Sequence, residues 1–156
     1  QLQQPNFPER LQAILAAHPD AAPQRLQLEI LETSALDDIE SVMAVMHACL
    51  ALGVTFALDD FGTGYSSLTY LKRYPIDNPK IPRSFVIDTP GNPEDVAIVT
   101  AIIQMGRSLQ IKTIAEGVET QAQIDLLAQL GCDMIQGFVV SPPMDAQTTE
   151  RWLQQR

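Results

Sequence analysis

The fold of this chain is predicted most clearly from one stretch of sequence, VTFALDDFGTGYSSL, at residues 54–68. Residues 54–58 are mostly apolar and predict a short buried strand. Two acids follow, and two glycines among small polar residues then indicate a loop. Ser67 is a suitable N-cap for a helix that runs through Leu68 and Leu71. The stretch therefore predicts a strand, a loop that begins with two carboxylates, and a helix.

The same alternation extends in both directions along the chain. Strands are predicted at residues 26–31, 54–58, 76–81, 112–115 and 134–136. Besides the helix after Ser67, helices are predicted at residues 8–18, 39–52, 95–109, 123–130 and 146–153. Gly53 stands where the left-handed residue that ends a helix is expected, and Gly131 ends a later helix. We therefore expect about five consecutive βα units and a parallel sheet.

A parallel sheet of this kind is either doubly wound or part of a barrel. A nucleotide-binding doubly wound sheet requires a G-x-G-x-x-G turn after a strand, and Gly62 and Gly64 lack the third glycine. We therefore favour an α/β fold of the TIM-like (β/α) barrel type, here a partial barrel. Its third strand is expected to be irregular, because Pro79 and Pro82 each remove a backbone donor.

Polar residues stand at the carboxyl ends of the predicted strands: Glu29, Asp59 with Asp60, Lys80, Glu116 and Gln136. In a βα barrel these ends converge on one face, where the active site is built. A single acid at a strand end is more often a helix cap or a solvated loop residue. Because every predicted strand shares the pattern, we expect these side chains to line one site.

The acids among these residues favour a divalent metal ion. Glu29, Asp59 and Asp60 would repel one another in a shared pocket unless a cation held them. Carboxylate oxygens are hard ligands that suit Mg²⁺ or Mn²⁺. Lys80 can hold a hydroxide or a developing phosphoryl charge, or serve only as a surface cation. The two histidines lie at or within helices, so a zinc site is not expected.

Composition and charge argue against several other classes of protein. The chain has 156 residues, 46% of them apolar, which is enough for one domain with a core. A formal net charge of −9 without a Lys/Arg stripe disfavours polymeric nucleic acid as a partner. No apolar stretch is long enough to span a membrane, and no signal peptide is visible. Cys49 and Cys132 fit reduced thiols of a cytoplasmic protein.

The run DDFGTGYSSL at residues 59–68 resembles the signature of EAL domains over all ten of its residues. Further matches are the E-x-x-E of residues 29–32, residues 80–81 and 83–86, the AEGVE run at 115–119 and the QGF run at 136–138. The resemblance covers nearly the whole chain. It implies a TIM-like barrel and a bacterial signalling phosphodiesterase that opens cyclic-di-GMP to linear pGpG.

The resemblance also implies roles for the strand-end residues. Glu29 and Asp59 would be metal ligands, with Asp59 able to bridge two Mg²⁺ or Mn²⁺ ions and Asp60 completing the second site. Lys80 would contact the attacking water or the scissile phosphate. Glu116 would be a general base or a water-mediated ligand.

Three further residues are assigned to the surroundings of the site by the same resemblance. Glu32 would anchor the loop at residues 60–67, and Glu119 and Gln136 would complete the metal or pocket shell. Two ions about 3.5 to 4 Å apart would lower the pKa of a shared water and neutralise the phosphate.

The chain, residues 1–156, is expected to be the C-terminal part of a single EAL domain. The family's motif Glu on its first strand and Asn on its third, both metal ligands, have no counterpart in these residues. The chain alone is therefore expected to be inactive, with cyclic-di-GMP as the ligand of the parent domain. Its sheet should end in exposed edges that promote association with another chain, as in a homodimer.

Two other functions stay open. A degenerate EAL module would bind cyclic-di-GMP, or a protein partner, without hydrolysis. Pro82, where the family usually has an Asp, and Pro79 are compatible with such a module. An unrelated magnesium-dependent barrel such as an enolase-like enzyme also uses strand-end acids and a lysine, although the match at residues 59–68 disfavours it.

Overall fold

The computed structural model describes residue 4 and residues 6–31, 39–64 and 67–155. Helices and strands alternate along these residues. The helices are α1 Phe7–Ala17, α2 Ile39–Ala51, α3 Ser67–Arg73, α4 Arg83–Val86, α5 Pro93–Leu109, α6 Gln121–Leu130 and α7 Ala146–Gln154, with a 3-10 turn at Pro23–Arg25. The strands are β1 Gln27–Leu31, β2 Thr55–Asp59, β3 Asn78–Ile81, β4 Ile114–Ala115 and β5 Met134–Ile135.

The strands form one parallel sheet of five strands in chain order, β1-β2-β3-β4-β5. Each strand pairs with the next, and the register places Leu31 opposite Asp59 and Ile81 opposite Ala115. Because parallel neighbours require a crossover, a helix follows each of the first four strands before the next one begins. This arrangement confirms the predicted α/β class with its repeated βα units.

The core lies between the sheet and the apolar faces of the helices. Helix α2 buries Val42, Met46 and Cys49, which recur at intervals of four and three residues and so share one face. Helix α5 buries Val99, Ile102 and Ile103 in the same way. The central strands β2 and β3 supply the other side, where Phe56, Leu58 and Ile81 are inaccessible to solvent. Burial of these faces holds the strand ends in a fixed arrangement.

The third strand forms despite its prolines. All four residues of β3 are buried, and Pro79 keeps its place in the ladder opposite Leu58. The strand is shorter than the predicted stretch 76–81. Pro82 lies beyond its end, with φ −66° and ψ 152°, and is the N-cap of α4. The sequence did not predict α4, which has only four residues and no apolar periodicity of its own.

Carboxylates at the amino ends of two strands tie neighbouring strands together. Asp77 Oδ2 accepts a hydrogen bond from Phe56 N at 2.9 Å, and Asp133 Oδ2 accepts one from Thr113 N at 2.8 Å. Thr113 therefore pairs with a side chain, and β4 begins at the next residue rather than at residue 112 as predicted. These bonds help to fix the register between neighbouring strands, and the register determines where the carboxyl ends of the strands lie.

Both cysteines carry free thiols, as expected from the sequence. Burial raises the pKa of the Cys49 thiol and also that of the Cys132 thiol. A raised thiol pKa leaves less thiolate at neutral pH, so neither residue is suited to act as a nucleophile. Among the helices that the structure describes, none is both long enough and apolar enough to cross a membrane.

Strands β1 and β5 are the two edges of the sheet, and each exposes an apolar side chain. Leu31 on β1 is 47% exposed and Met134 on β5 is 38% exposed. Unpaired edge strands are templates for pairing with another chain. We expect the purified 156-residue chain to associate reversibly, and sedimentation velocity over a range of concentrations measures this association.

The variant Leu31→Lys should weaken the association, because a charged side chain on an edge strand opposes pairing. Leu109→Lys is the matched control, since Leu109 is 51% exposed but lies at the end of α5, away from both edges. A chain that stays monomeric at every concentration would contradict the prediction. So would an equal effect of the two variants.

Candidate active site

Backbone hydrogen bonds connect the carboxyl ends of the strands and hold the candidate residues at one level. Phe61 N donates to Lys80 O at 3.1 Å, which joins the loop after β2 to β3. Glu116 N donates to Ile81 O at 3.0 Å and joins the loop after β4 to the same strand. Since both loops are bonded to β3, their acidic residues lie on either side of Lys80.

Lys80 is the centre of a cluster of three carboxylates. Its Nζ lies 2.5 Å from Glu116 Oε1, 2.6 Å from Glu29 Oε1 and 3.4 Å from Asp59 Oδ1. Asp59 ends β2 and Glu116 follows β4, whereas Glu29 lies in the middle of β1 and not at its carboxyl end as predicted. Three strands therefore contribute an acid to one ammonium group. The Lys80 side chain is only 3% exposed, whereas those of Asp59 and Glu116 are about a fifth exposed and Glu29 is half exposed.

The surrounding acids keep Lys80 protonated. Burial acts to lower its pKa, but hydrogen bonds to Glu116 and Glu29 and the charges of Glu116 and Asp59 outweigh burial, so the pKa lies above its usual value. A buried ammonium group with ionic partners is therefore a permanent cation at neutral pH. Three carboxylates outnumber this one cation, so the cluster keeps an excess of negative charge.

The donor chemistry of the cluster fits a divalent cation. Glu29 and Asp59 offer the carboxylate oxygens that Mg²⁺ and Mn²⁺ prefer, and their excess negative charge attracts a further cation. In the described part of the chain, no group of three or more His, Cys, Asp or Glu side chains has the geometry of a metal site. The carboxylate oxygens of these acids contact Lys80 Nζ instead, so the ammonium group and a bound metal ion would compete for them.

Asp60 lies beside this cluster in an uncommon backbone conformation. Its φ is +56°, in the left-handed region that Asp tolerates better than most residues. Asp60 N donates to Asp59 Oδ1 at 3.1 Å, and Asp60 O accepts from Thr63 Oγ1 at 2.8 Å. These bonds hold the loop in place and leave Asp60 exposed, without an ion pair to any residue that the structure describes.

Glu119 is not part of the Lys80 cluster. Its Oε1 accepts hydrogen bonds from Arg83 Nη2 at 2.9 Å and from Arg83 Nε at 3.2 Å. Both side chains are exposed, and with Glu116, Gln136 and Phe138 they line a shallow cleft of about 380 Å³ next to the cluster. Gln136 therefore lies in this cleft, not against Lys80. Glu32 falls outside the described residues.

Arg83 and Phe138 were not assigned a role by the sequence reasoning. Arg83 follows Lys80 by three residues, and the sequence does not show that it lies beside the site. That position becomes clear only from the structure, in which α4 begins at Arg83. Phe138 is 64% exposed at the edge of the cleft, which a sequence pattern does not reveal because aromatic residues are usually buried.

Gly137 lies where two backbone segments pass too closely for a side chain. A Cβ atom at this position would overlap the backbone N and O of Val118. Hydrogen bonds cross the same gap, since Val118 N donates to Gln136 O at 3.1 Å and Val139 N donates to Val118 O at 3.0 Å. The segment that carries Gln136 is therefore held directly against the loop after β4.

We expect Gly137→Ala to lower the free energy of unfolding by roughly 2 to 3 kcal/mol, because the two backbone segments must separate to admit the methyl group. Urea unfolding measures this change. Gly91→Ala is the control, since the nearest atom to its added Cβ, Asp88 O, lies at 3.3 Å and has to shift far less than Val118 would, so its effect should stay below about 1 kcal/mol. Wild-type stability of Gly137→Ala would show that the close approach is absent.

Comparison with known proteins identifies the family. The model of the EAL domain matches residues 1–143. The chain is 46% identical over 125 residues to the bifunctional diguanylate cyclase/cyclic di-GMP phosphodiesterase MucR of Pseudomonas aeruginosa, a match that covers 80% of this chain and 18% of MucR. The chain thus spans less than a fifth of the length of that relative.

Solved structures agree in fold with this chain. The EAL domain of Mycobacterium smegmatis DcpA superposes with a TM-score of 0.93 at 36% identity, covering 99% of this chain and 69% of that one. A manganese/cyclic-di-GMP complex of Klebsiella pneumoniae BlrP1 superposes with a TM-score of 0.79 at 31% identity, covering 88% and 35%. These matches confirm the resemblance seen in the loop after β2. The chain belongs to the EAL domain family.

Proposed function

We propose that this chain is the C-terminal part of one EAL domain that hydrolyses cyclic-di-GMP to linear pGpG with the help of Mg²⁺ or Mn²⁺. The observation that supports this function is the meeting of Glu29, Asp59 and Glu116 at the buried ammonium group of Lys80. Such a cluster combines an excess of carboxylates with one fixed cation. In a metal-dependent phosphodiesterase, carboxylates hold the ions and a fixed cation stabilises charge that develops on the phosphate.

In this proposal, Glu29, Asp59 and Asp60 hold the divalent ions. A bound ion lowers the pKa of a coordinated water and neutralises charge on the phosphate. Lys80 provides a cation that binds a phosphate oxygen or orients the attacking water. Glu116 is within reach of the same place and accepts a proton as the general base.

The remaining predicted residues belong to the surroundings of the reaction. Gln136 and Glu119 line the adjoining cleft, and we assign to them contacts with a bound nucleotide rather than with the reacting phosphate. Glu119 is oriented for this purpose by its ion pair with Arg83. We assign to Glu32 the role of anchoring the loop after β2.

A second candidate function is that of a receptor that binds cyclic-di-GMP without hydrolysis. The direct contacts of Lys80 with Glu29 and Glu116 favour it, because the ammonium group competes with metal ions for the same oxygens. Pro82 also supplies no side-chain ligand after β3. In this alternative the cleft beside Arg83 and Phe138 binds the nucleotide, and the acids serve only to hold Lys80.

The two functions are separated by one assay. A polypeptide that contains the whole domain is incubated with cyclic-di-GMP and either Mg²⁺, Mn²⁺ or EDTA, and linear pGpG is measured by chromatography. The phosphodiesterase proposal expects pGpG with either metal and none with EDTA. Binding of cyclic-di-GMP without any product in the presence of both metals would refute hydrolysis and favour the receptor.

A further inference from the structure

Gln123, in the first turn of α6, is a buried polar residue whose amide group is fully used. The residue is 3% exposed. Its Oε1 accepts hydrogen bonds from Glu119 N at 2.8 Å and from Thr120 N at 3.0 Å. Its Nε2 donates to Val86 O at 3.2 Å and to Ile87 O at 3.1 Å. One side chain therefore bonds two separate segments of backbone.

The two segments follow β3 and β4, two of the strands that contribute residues to the candidate active site. Glu119 and Thr120 end the loop that begins with Glu116, directly after β4. Val86 and Ile87 end α4, which follows Lys80 after only two residues. Gln123 thus connects the loop of the Glu116 carboxylate with the helix next to Lys80.

Helix α4 depends on such contacts for its position. A helix of four residues has too few internal hydrogen bonds to be stable alone. Its second link to the loop is the ion pair of Arg83 with Glu119, and both of these side chains are largely exposed. Exposed ion pairs contribute little, so the buried bonds of Gln123 are the stronger connection.

Capping of α6 does not by itself explain why this residue is a glutamine. Thr120 and Gln123 form a capping box, in which the N3 side chain accepts from the backbone of the N-cap. A glutamate satisfies that requirement as well as a glutamine does. Only the amide of a glutamine also donates two hydrogen bonds, and both of them go to α4.

We infer that Gln123 is a positioning residue that holds α4 and the loop at residues 116–120 as one unit, and so keeps Lys80 and Glu116 at their working distance. The catalytic consequence rests on the proposed phosphodiesterase function, whereas the structural coupling does not. Loss of a buried bond that orients a functional group typically lowers activity about tenfold or more.

The test compares a variant that loses the bonds of Gln123 to α4 with a variant that loses only a capping bond of α6. Gln123→Glu keeps the acceptor for Glu119 N and Thr120 N but removes the amide that donates to α4. Thr120→Ala removes the hydroxyl that accepts from Gln123 N at 3.3 Å and leaves the bonds to α4 intact. Both are made in the full-length polypeptide. If Gln123→Glu does not fold, Gln123→Met replaces it, which introduces no charge but removes the acceptor for Glu119 N and Thr120 N together with the donor to α4.

Hydrogen exchange of backbone amides is the first measurement, because it requires no activity. The Gln123 variant should show faster exchange at Ile87 N and Thr89 N, which bond within α4 and its end, and Thr120→Ala should not. The second measurement is turnover of cyclic-di-GMP, where the Gln123 variant should lose about tenfold in kcat with little change in KM, and Thr120→Ala should retain both.

Unchanged exchange at α4 in the Gln123 variant would overturn the coupling, whether or not the protein is active. An equal loss of kcat in Thr120→Ala would overturn the positioning role, because capping alone would then account for the effect. If the wild-type protein releases no pGpG, the phosphodiesterase proposal fails while the exchange result still decides whether Gln123 couples the two segments.

Discussion

Asp59→Asn is expected to lower kcat for cyclic-di-GMP hydrolysis by at least about a hundredfold, since a lost metal ligand removes several kcal/mol of transition-state stabilisation. The amide has nearly the same shape as the carboxylate and can still accept the hydrogen bond of Asp60 N. The fold should therefore be retained, with a circular dichroism spectrum like that of the wild type. Steady-state kinetics with Mg²⁺ or Mn²⁺ in the whole domain measures the loss.

Asp125→Asn is the control for this substitution. Asp125 is an exposed acid on α6, where its Oδ1 accepts from Gln121 Nε2 at 2.8 Å. The same chemical change there should leave kcat and KM at wild-type values. Turnover near the wild-type rate in Asp59→Asn would exclude Asp59 from the reaction and remove the main support for a metal site at β2.

Lys80→Met should lose both activity and stability. The substitution leaves Glu29, Asp59 and Glu116 facing one another without a cation, and it removes the ionic partner of two acids that are largely buried. Breaking a buried ion pair costs about 3 to 5 kcal/mol. Since these acids are 20% to 49% exposed, we expect the lower end, about 3 kcal/mol, by urea unfolding.

The pH dependence of this stability difference follows from the raised pKa of Lys80. A cationic group whose pKa is raised on folding stabilises the protein fully below its unfolded pKa, which is about 10.4 for lysine. Its contribution is lost as the pH rises through the higher folded value. The difference between wild type and Lys80→Met should thus be constant from about pH 7 to about pH 10 and shrink only above that.

Two further variants distinguish the ion cluster from a general effect of removing a lysine. Lys72→Met replaces an exposed lysine on α3 and should change stability by less than about 0.5 kcal/mol. The double variant Lys80→Met with Glu116→Gln should recover part of the lost stability, because it removes one of the mutually repelling charges. If Lys80→Met is as stable as the wild type, the cluster does not contribute to folding.

Much of the fold could be predicted because its signals are local. Apolar periodicity predicted α2 and α5. Gly53 and Gly131 predicted the ends of α2 and α6, and their φ values of +95° and +79° are those of left-handed caps. The alternation of strands and helices then favoured a parallel sheet. Helix α4 was missed because four residues contain no periodic pattern. Strand β4 was predicted too long because the backbone N of Thr113 bonds to the side chain of Asp133 and not to a neighbouring strand.

The site was predicted in part for the same reason. Residues at or near the carboxyl ends of parallel strands lie on one face of the sheet, so the meeting of Asp59 and Glu116 could be anticipated, and Glu29 reaches the same place from two residues before the end of β1. Lys80 was expected on the same face, but its burial between the acids could not be deduced from its position, because a lysine at a strand end has a surface role just as readily. Glu119 and Gln136 were assigned to the metal or pocket shell. The pairing of Glu119 with Arg83, 36 residues away, could not be predicted from the sequence.

By itself the sequence determined the fold class, the order of the elements and the family, because side-chain periodicity, turn residues and the run at residues 59–68 are properties of short segments. Only the tertiary structure decided that Lys80 is buried among three acids and that Gln123 bonds Val86, 37 residues away. Ion pairs and buried hydrogen bonds form only at distances of a few ångströms. Those distances depend on strand register and on how the helices pack, which no short segment contains.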